Sequence, residues 1–120
     1  IATDISINEL KDENITKVSV DWKEEQVDGN SMDFYKSIKI ESKNIYQHVG
    51  IYSFKPSALK KFISLPPSKN EIDRKLEQLR ALDAGIKIGI TYVENLPISV
   101  DTVEDLMIIE KILKNKDENK

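Results

Sequence analysis

The chain has 120 residues, enough for one domain with its own core and too few for two of ordinary size. With 39% hydrophobic and 32% charged residues and a net charge of -3, it reads as a globular protein with no general pull toward nucleic acid. It has no cysteine, which excludes a disulfide frame and cysteine-ligated zinc. No apolar run reaches the length of a membrane span, and Ile1–Glu9 is too short and acidic for a signal peptide, so the expected compartment is the cytoplasm. The chain starts on Ile1 rather than Met, directly in strand-like residues, and reads as the cut end of a longer protein. Of 18 basic residues only Arg74 and Arg80 are arginine, the type suited to bidentate pairing with carboxylates.

In chain order, Ile1–Ile7 alternates weakly as a short strand, and Asn8–Asn14 is a polar connector or a single helical turn. Ile15–Trp22 alternates as a strand. Lys23–Ser31, with Asp28-Gly29-Asn30, reads as a turn. Met32–Ile40 reads as the returning strand, with Met32, Phe34, Lys36, Ile38 and Ile40 on one face. After a polar break at Glu41–Lys43, Asn44–Phe54 is dense in β-branched and aromatic residues and is a strand by composition. Pro56 suits the first turn of a short helix with a Leu59, Phe62, Ile63 stripe, ended by Pro66-Pro67. Ser68-Lys69-Asn70-Glu71 has the form of a capping box. It predicts one helix over Glu71–Ala84, with Ile72, Leu76, Leu79 and Leu82 as its stripe and Gly85 as its stop. Ile86–Val93 alternates as a strand, and Glu94–Ser99 is a loop. Thr102-Val103-Glu104-Asp105 caps a helix over Val103–Leu113 whose Val103, Leu106, Ile109 and Leu113 face inward, and Asn115–Lys120 is a charged, unstructured tail. Strands followed by helix, helix, strand and helix make one α/β domain with a mixed sheet.

His48, the only histidine, shares a strand face with Tyr52, with Gly50 between them. The pair spans roughly 13 Å and suits a small polar ligand lying across the strand. The alternative is a hydrogen-bonded core histidine beside a bulge or close packing at Gly50. Glu77 and Gln78 are adjacent on the predicted helix, roughly 100° apart around its axis, and border its apolar stripe or form an ordinary solvated flank. Asp101, at a strand-to-helix junction, suits a hard cation such as Mg²⁺ or is a plain turn residue. No Ser-His-Asp set is recognisable by spacing, and there is no H-E-x-x-H, CxxC or phosphate-binding glycine loop.

Gln47-His48-Val49-Gly50-Ile51-Tyr52 resembles the R-H-[IL]-G-I-Y strand of the CMP-KDO synthetases (3-deoxy-manno-octulosonate cytidylyltransferases). Leu65-Pro66-Pro67-Ser68 with Leu76-Glu77-Gln78-Leu79-Arg80 resembles that family's W-x-P-S segment and L-E-Q-L-R helix at the same separation. Gly85-Ile86-Lys87-Ile88 resembles its G-x-K-I strand start, and Val100–Leu106 its V-D-T-x-E-D-L. Such motifs in order and at matching spacing are specific where one alone is weak.

The resemblance implies the C-terminal half of a nucleotide-diphospho-sugar-transferase-like, Rossmann-like fold. It implies cytidylyl transfer from CTP to KDO with Mg²⁺, giving CMP-KDO and pyrophosphate for lipopolysaccharide synthesis. His48, Tyr52, Glu77 and Gln78 would line the KDO pocket, and Asp101 would hold Mg²⁺. Lys36 would stand in for the family's arginine in its F-S-R segment, keeping the charge without the fork. A homodimer would form through Lys23–Lys43. The family's nucleotide-gripping signature is absent from the chain, which is therefore expected to be a fragment inactive alone. Gln47 replaces the family's arginine before the histidine, and Asn95–Ser99 lacks its glycines. Both departures leave room for another sugar acid, as in the CMP-sialate synthetases, or for a binding or assembly domain that has lost catalysis.

Overall fold

The computed structural model describes residues 1–24, 27–38, 44–95, 100 and 102–118. Its strands are β1 (Ala2–Thr3), β2 (Lys17–Glu24), β3 (Asp28–Tyr35), β4 (Ile45–His48) and β5 (Gly89–Thr91). Its helices are α1 (Pro56–Ser64), α2 (Lys69–Arg74), α3 (Leu79–Asp83) and α4 (Val103–Glu118), with a 3₁₀ turn at Glu9–Lys11. The chain is α/β, as its pattern predicts. The strands form one sheet in the order β1-β4-β2-β3-β5, and every pairing between them is antiparallel. Parallel character enters only at a bridge from Ala2 to Tyr92 among the described residues. There the Val93 N–H donates to the Ala2 carbonyl at 2.8 Å. The stretch after β5 thus returns to β1, and the sheet curls until its edges meet. This closure satisfies edge groups that would otherwise be open for pairing, and it buries Ala2 and Thr3.

The β2–β3 hairpin corrects two expectations. Asp28-Gly29-Asn30 lies in β3, not in the turn, with Gly29 opposite Trp22. A Cβ at Gly29 would lie 2.7 Å from the Asp21 carbonyl oxygen and 2.9 Å from the Trp22 ring, so the glycine serves close approach of two strands. Farther along, Val20 faces Ser31 and Ser19 faces Asp33, which leaves Met32 as an extra residue. This bulge reverses the alternation: Met32 is 63% exposed while Phe34 is fully buried, so the two do not share a face. Ile40 and Glu41–Lys43 lie outside the described residues.

One face of the sheet carries the core, in which Val18, Val20, Phe34, Tyr46 and Ile90 meet Leu76 and Leu79. Lys17, on the opposite face from Val18, is also fully buried. Its ammonium donates to the carbonyls of Asp12 and Lys36, the latter at 2.7 Å, and burial lowers its pKa.

The predicted helix over Glu71–Ala84 is two helices. α2 begins at the expected capping box, where Ser68 Oγ accepts the Glu71 N–H and Glu71 Oε2 accepts the Ser68 N–H. It stops at Lys75, which adopts the left-handed conformation with φ 56°. The Glu71 carbonyl accepts the N–H groups of both Lys75 and Leu76, closing the helix end. No glycine or proline marks this stop. Leu76 and Leu79 are both buried in the core, while Ile72, expected in the stripe, is 64% exposed. Gly85 ends α3 as expected, with φ 72°.

α4 is capped as predicted: the Thr102 N–H donates to Asp105 and the Asp105 N–H to Thr102 Oγ1. Of the expected inward stripe, Val103, Leu106 and Leu113 are nonetheless exposed, and Ile109 is half-buried. The helix also runs through Asn115–Glu118, where an unstructured tail was expected.

Two substitutions test this backbone reading by chemical denaturation. Gly29→Ala must push β2 from β3 and should cost about 1–3 kcal/mol. Lys75→Gly relieves a left-handed non-glycine residue and should add up to about 1 kcal/mol. Equal stability of both variants and the parent would contradict the hairpin and the helix break alike.

Candidate functional site

β4 ends at His48, six residues before the predicted end at Phe54, and residues 49–55 run on without ladder pairing. As the last residue of β4, His48 shares the core face with Tyr46. Its ring packs edge-on against buried Phe34, with centroids 5.2 Å apart. From there a file of rings leaves the core: His48 to Tyr52 at 5.5 Å, Tyr52 to Phe54 at 6.1 Å, and Phe54 to Phe62 of α1 at 6.0 Å. A Cβ at Gly50 would meet nothing within 4 Å, so that glycine marks no close packing.

This file is one wall of a cleft of about 600 Å³. Leu59 and Ile63 of α1 extend the apolar lining, and Ile86, Ile88 and Ile90 supply the far side. The polar lining is His48, Tyr52, Ser53, Lys55, Glu77, Gln78 and Lys87. The cleft thus gathers His48, Tyr52, Glu77 and Gln78, all singled out from the sequence. It gathers the last two for a reason the sequence does not show. On a continuous helix they would point roughly 100° apart. In the turn between α2 and α3 both reach the same cavity. Lys55 and Lys87, its two lysines, carry no sequence signal that separates them from other surface lysines. Lys36 does not line this cleft; its carbonyl holds Lys17 beside the far face of the sheet.

Burial, with the N-terminal ammonium of Ile1 adding to it, lowers the pKa of His48 to about 4, so its imidazole is neutral at pH 7. Burial, with the Glu77 carboxylate adding to it, pushes the Tyr52 phenol up to about 12. The phenol therefore keeps its proton, and its oxygen lies 2.8 Å from His48 Nε2. This is a neutral hydrogen-bonded pair, fit to orient a hydroxylated ligand rather than to act as a nucleophile. His48 is at once a hydrogen-bonded residue at the edge of the core and a cleft residue.

Among the described residues no cluster of three or more His, Asp or Glu could hold a metal ion, and Asp101 lies outside them. No helix among the described residues is long and apolar enough to cross a membrane.

No family model matches the chain. Individual proteins do. A 3-deoxy-manno-octulosonate cytidylyltransferase from Bradyrhizobium sp. strain BTAi1 is 48% identical over 68 residues, which is 57% of this chain and 28% of that protein. The enzyme of the same name from Rickettsia rickettsii is 47% identical over 88 residues, 72% of this chain and 36% of that protein. A solved structure of CMP:2-keto-3-deoxy-manno-octonic acid synthetase complexed with CTP superposes with a TM-score of 0.82 at 28% identity, covering 96% of this chain and 48% of that one. The chain is similar to the CMP-KDO synthetases. Sequence and fold agree on this, and the match spans roughly a third of the curated CMP-KDO synthetases and about half of the solved one.

The pH dependence of stability follows from His48. The unfolded imidazole binds a proton near pH 6.5 and the folded one only near 4, so acid favours unfolding across that interval. Glu71 and Asp83 have lowered carboxyl pKa values, because Arg80 pairs with the first and Ser68 and Asn70 donate to the second. Their contributions fade at lower pH, which leaves the upper part of the interval to His48 and to the Ile1 amino group, whose pKa burial also lowers. Stability should fall by about 1–3 kcal/mol between pH 6.5 and 4.5. His48→Gln should flatten that limb in urea melts; a limb unchanged by the substitution would show that His48 is solvated.

Proposed function

We propose that this chain forms the sugar-acid pocket of a 3-deoxy-manno-octulosonate cytidylyltransferase, which joins CTP and KDO into CMP-KDO and pyrophosphate for lipopolysaccharide synthesis. The observation that carries this reading is the convergence of His48, Tyr52, Glu77 and Gln78 on one cleft. In this reading the ring file offers a face for the sugar, the His48–Tyr52 pair and Gln78 meet its hydroxyls, and the Glu77 carboxylate accepts from one of them. These residues bind and orient. CTP contacts fall to parts of such an enzyme that this chain does not contain, so the chain alone should bind KDO without turning over CTP. Calorimetry with KDO tests this. Loss of one charge-assisted hydrogen bond typically costs about 1.5–3 kcal/mol, so Glu77→Ala should weaken binding roughly 10- to 150-fold. A folded chain that binds no KDO would overturn the proposal, and so would pyrophosphate release from CTP by the chain alone.

We also propose that the protein pairs through the β2–β3 hairpin. Phe34 is spent on the chain's own core, but Val27 and Met32 remain exposed on that hairpin. Sedimentation of the chain should show a dimer that Met32→Lys weakens. A monomer at tens of micromolar, roughly the range in which weak assemblies still form, would contradict it.

A further inference from the structure

Glu77 and Gln78 line the cleft only because the chain breaks at Lys75, yet Lys75-Leu76-Glu77-Gln78-Leu79-Arg80 is made of good helix formers with neither glycine nor proline. Something outside local preference holds the break open. Leu76 and Leu79 draw the turn toward the core, but two leucines three apart also enter a core from one continuous helix. A side-chain clamp spans the break itself. Arg80, the second residue of α3, reaches back to Glu71 of α2 with both arms of its fork: Nε to Oε2 at 2.8 Å and one terminal nitrogen to Oε1 at 2.5 Å. The same terminal nitrogen contacts Glu77 Oε1 at 3.4 Å. The guanidinium lies over the ring of Phe62, a cleft residue, 5.0 Å from its centroid. Arg80 and Glu71 are largely covered, at 15% and 13% side-chain exposure, whereas Glu77 is 69% exposed and open to a ligand. On a continuous helix residues nine apart lie about 13 Å apart along the axis, too far for this fork to close.

We propose that Arg80 is a positioning residue: fastened to Glu71 across the break between α2 and α3, it holds Glu77 and Gln78 in the turn that turns both toward the cleft. Its role for a sugar rests on the function proposed above, but its role in the turn does not. Glu71 is anchored in turn, because its carboxylate also accepts the Ser68 N–H in the capping box. The chain therefore runs from a helix cap, through one ion pair, to the residues offered to the ligand.

The test uses the full 120-residue chain, the variants Arg80→Met and Glu71→Gln, and two readouts. Glutamine at that position keeps a capping box but removes the charge that holds the fork. Backbone carbon shifts should report a left-handed Lys75 and a non-helical Leu76 in the parent. In both variants those shifts should move toward helical values, with α2 still capped at Ser68. KDO affinity should fall about tenfold alongside. Leu79→Ala is the control for plain destabilisation: it should lower the melting temperature and leave the Lys75 shifts in place. Should Arg80→Met fail to fold, Glu71→Gln alone decides. Variants that keep the left-handed Lys75 and the parent's turn shifts would overturn the proposal. If the parent binds no KDO but the shifts move, the sugar reading fails while the positioning role of Arg80 stands.

Discussion

The Glu71 carboxylate serves two masters, and the site depends on both. It closes the capping box that starts α2, and it takes the forked guanidinium of Arg80 from α3. The first task is local and the second ties separate helices together. Charge-assisted, bidentate pairing is the kind of contact that can override helix preference over a short run. The consequence is geometric: neighbours that a helix would splay apart come to share one cavity. Arg74 does similar work nearby, donating to both Asp33 oxygens at 2.8 and 2.9 Å and to the Phe34 carbonyl, and so pins α2 to β3. Both arginines are structural fasteners, and neither lines the cleft. Asn70 of α2 adds a hydrogen bond across the same break, donating to the Asp83 carboxylate of α3 at 2.9 Å.

The other wall is built from the core outward. Phe34 is fully buried, His48 leans on it edge-on, Tyr52 and Phe54 are exposed, and half-buried Phe62 closes the file beneath Arg80. Edge-to-face and tilted ring contacts contribute about 0.5–1.5 kcal/mol each beyond area burial, enough to fix a wall without ladder hydrogen bonds. A strand that continued to Phe54 would have kept Tyr52 on the face of His48 but roughly 13 Å farther along, out of reach. The irregular stretch after His48 instead keeps Tyr52 within hydrogen-bonding reach of it. Core and cleft share residues here, so substitutions at His48 or Phe34 act on stability and on the site together.

Features governed by neighbours in sequence were legible. The Ser68–Glu71 box, the stop at Gly85 and the Thr102–Asp105 cap all lie where their residues predict, since each is a contact within a few positions. His48, Tyr52, Glu77 and Gln78 were legible through motif resemblance, and they share a cleft. Features set by distant contacts were not. The Met32 bulge depends on register against β2, the stop at Lys75 on a nine-residue reach from Arg80, and the burial of Lys17 on a turn folding over the outer face. Lys36 matched a family position by order along the chain, and it does not line this cleft. The apolar side of α4 had a sound periodicity, yet Val103, Leu106 and Leu113 are exposed.

The central claim is that one cleft, assembled across a clamped helix break, receives a sugar acid. Amide shift mapping of the isotopically labelled chain during titration with KDO tests it most directly. The account predicts that the largest shifts fall together on His48, Tyr52, Glu77 and Gln78, on both walls of the cleft, while Lys17, Lys36 and the length of α4 stay still. Shifts confined to one wall, scattered over α4, or absent at saturating KDO would contradict it.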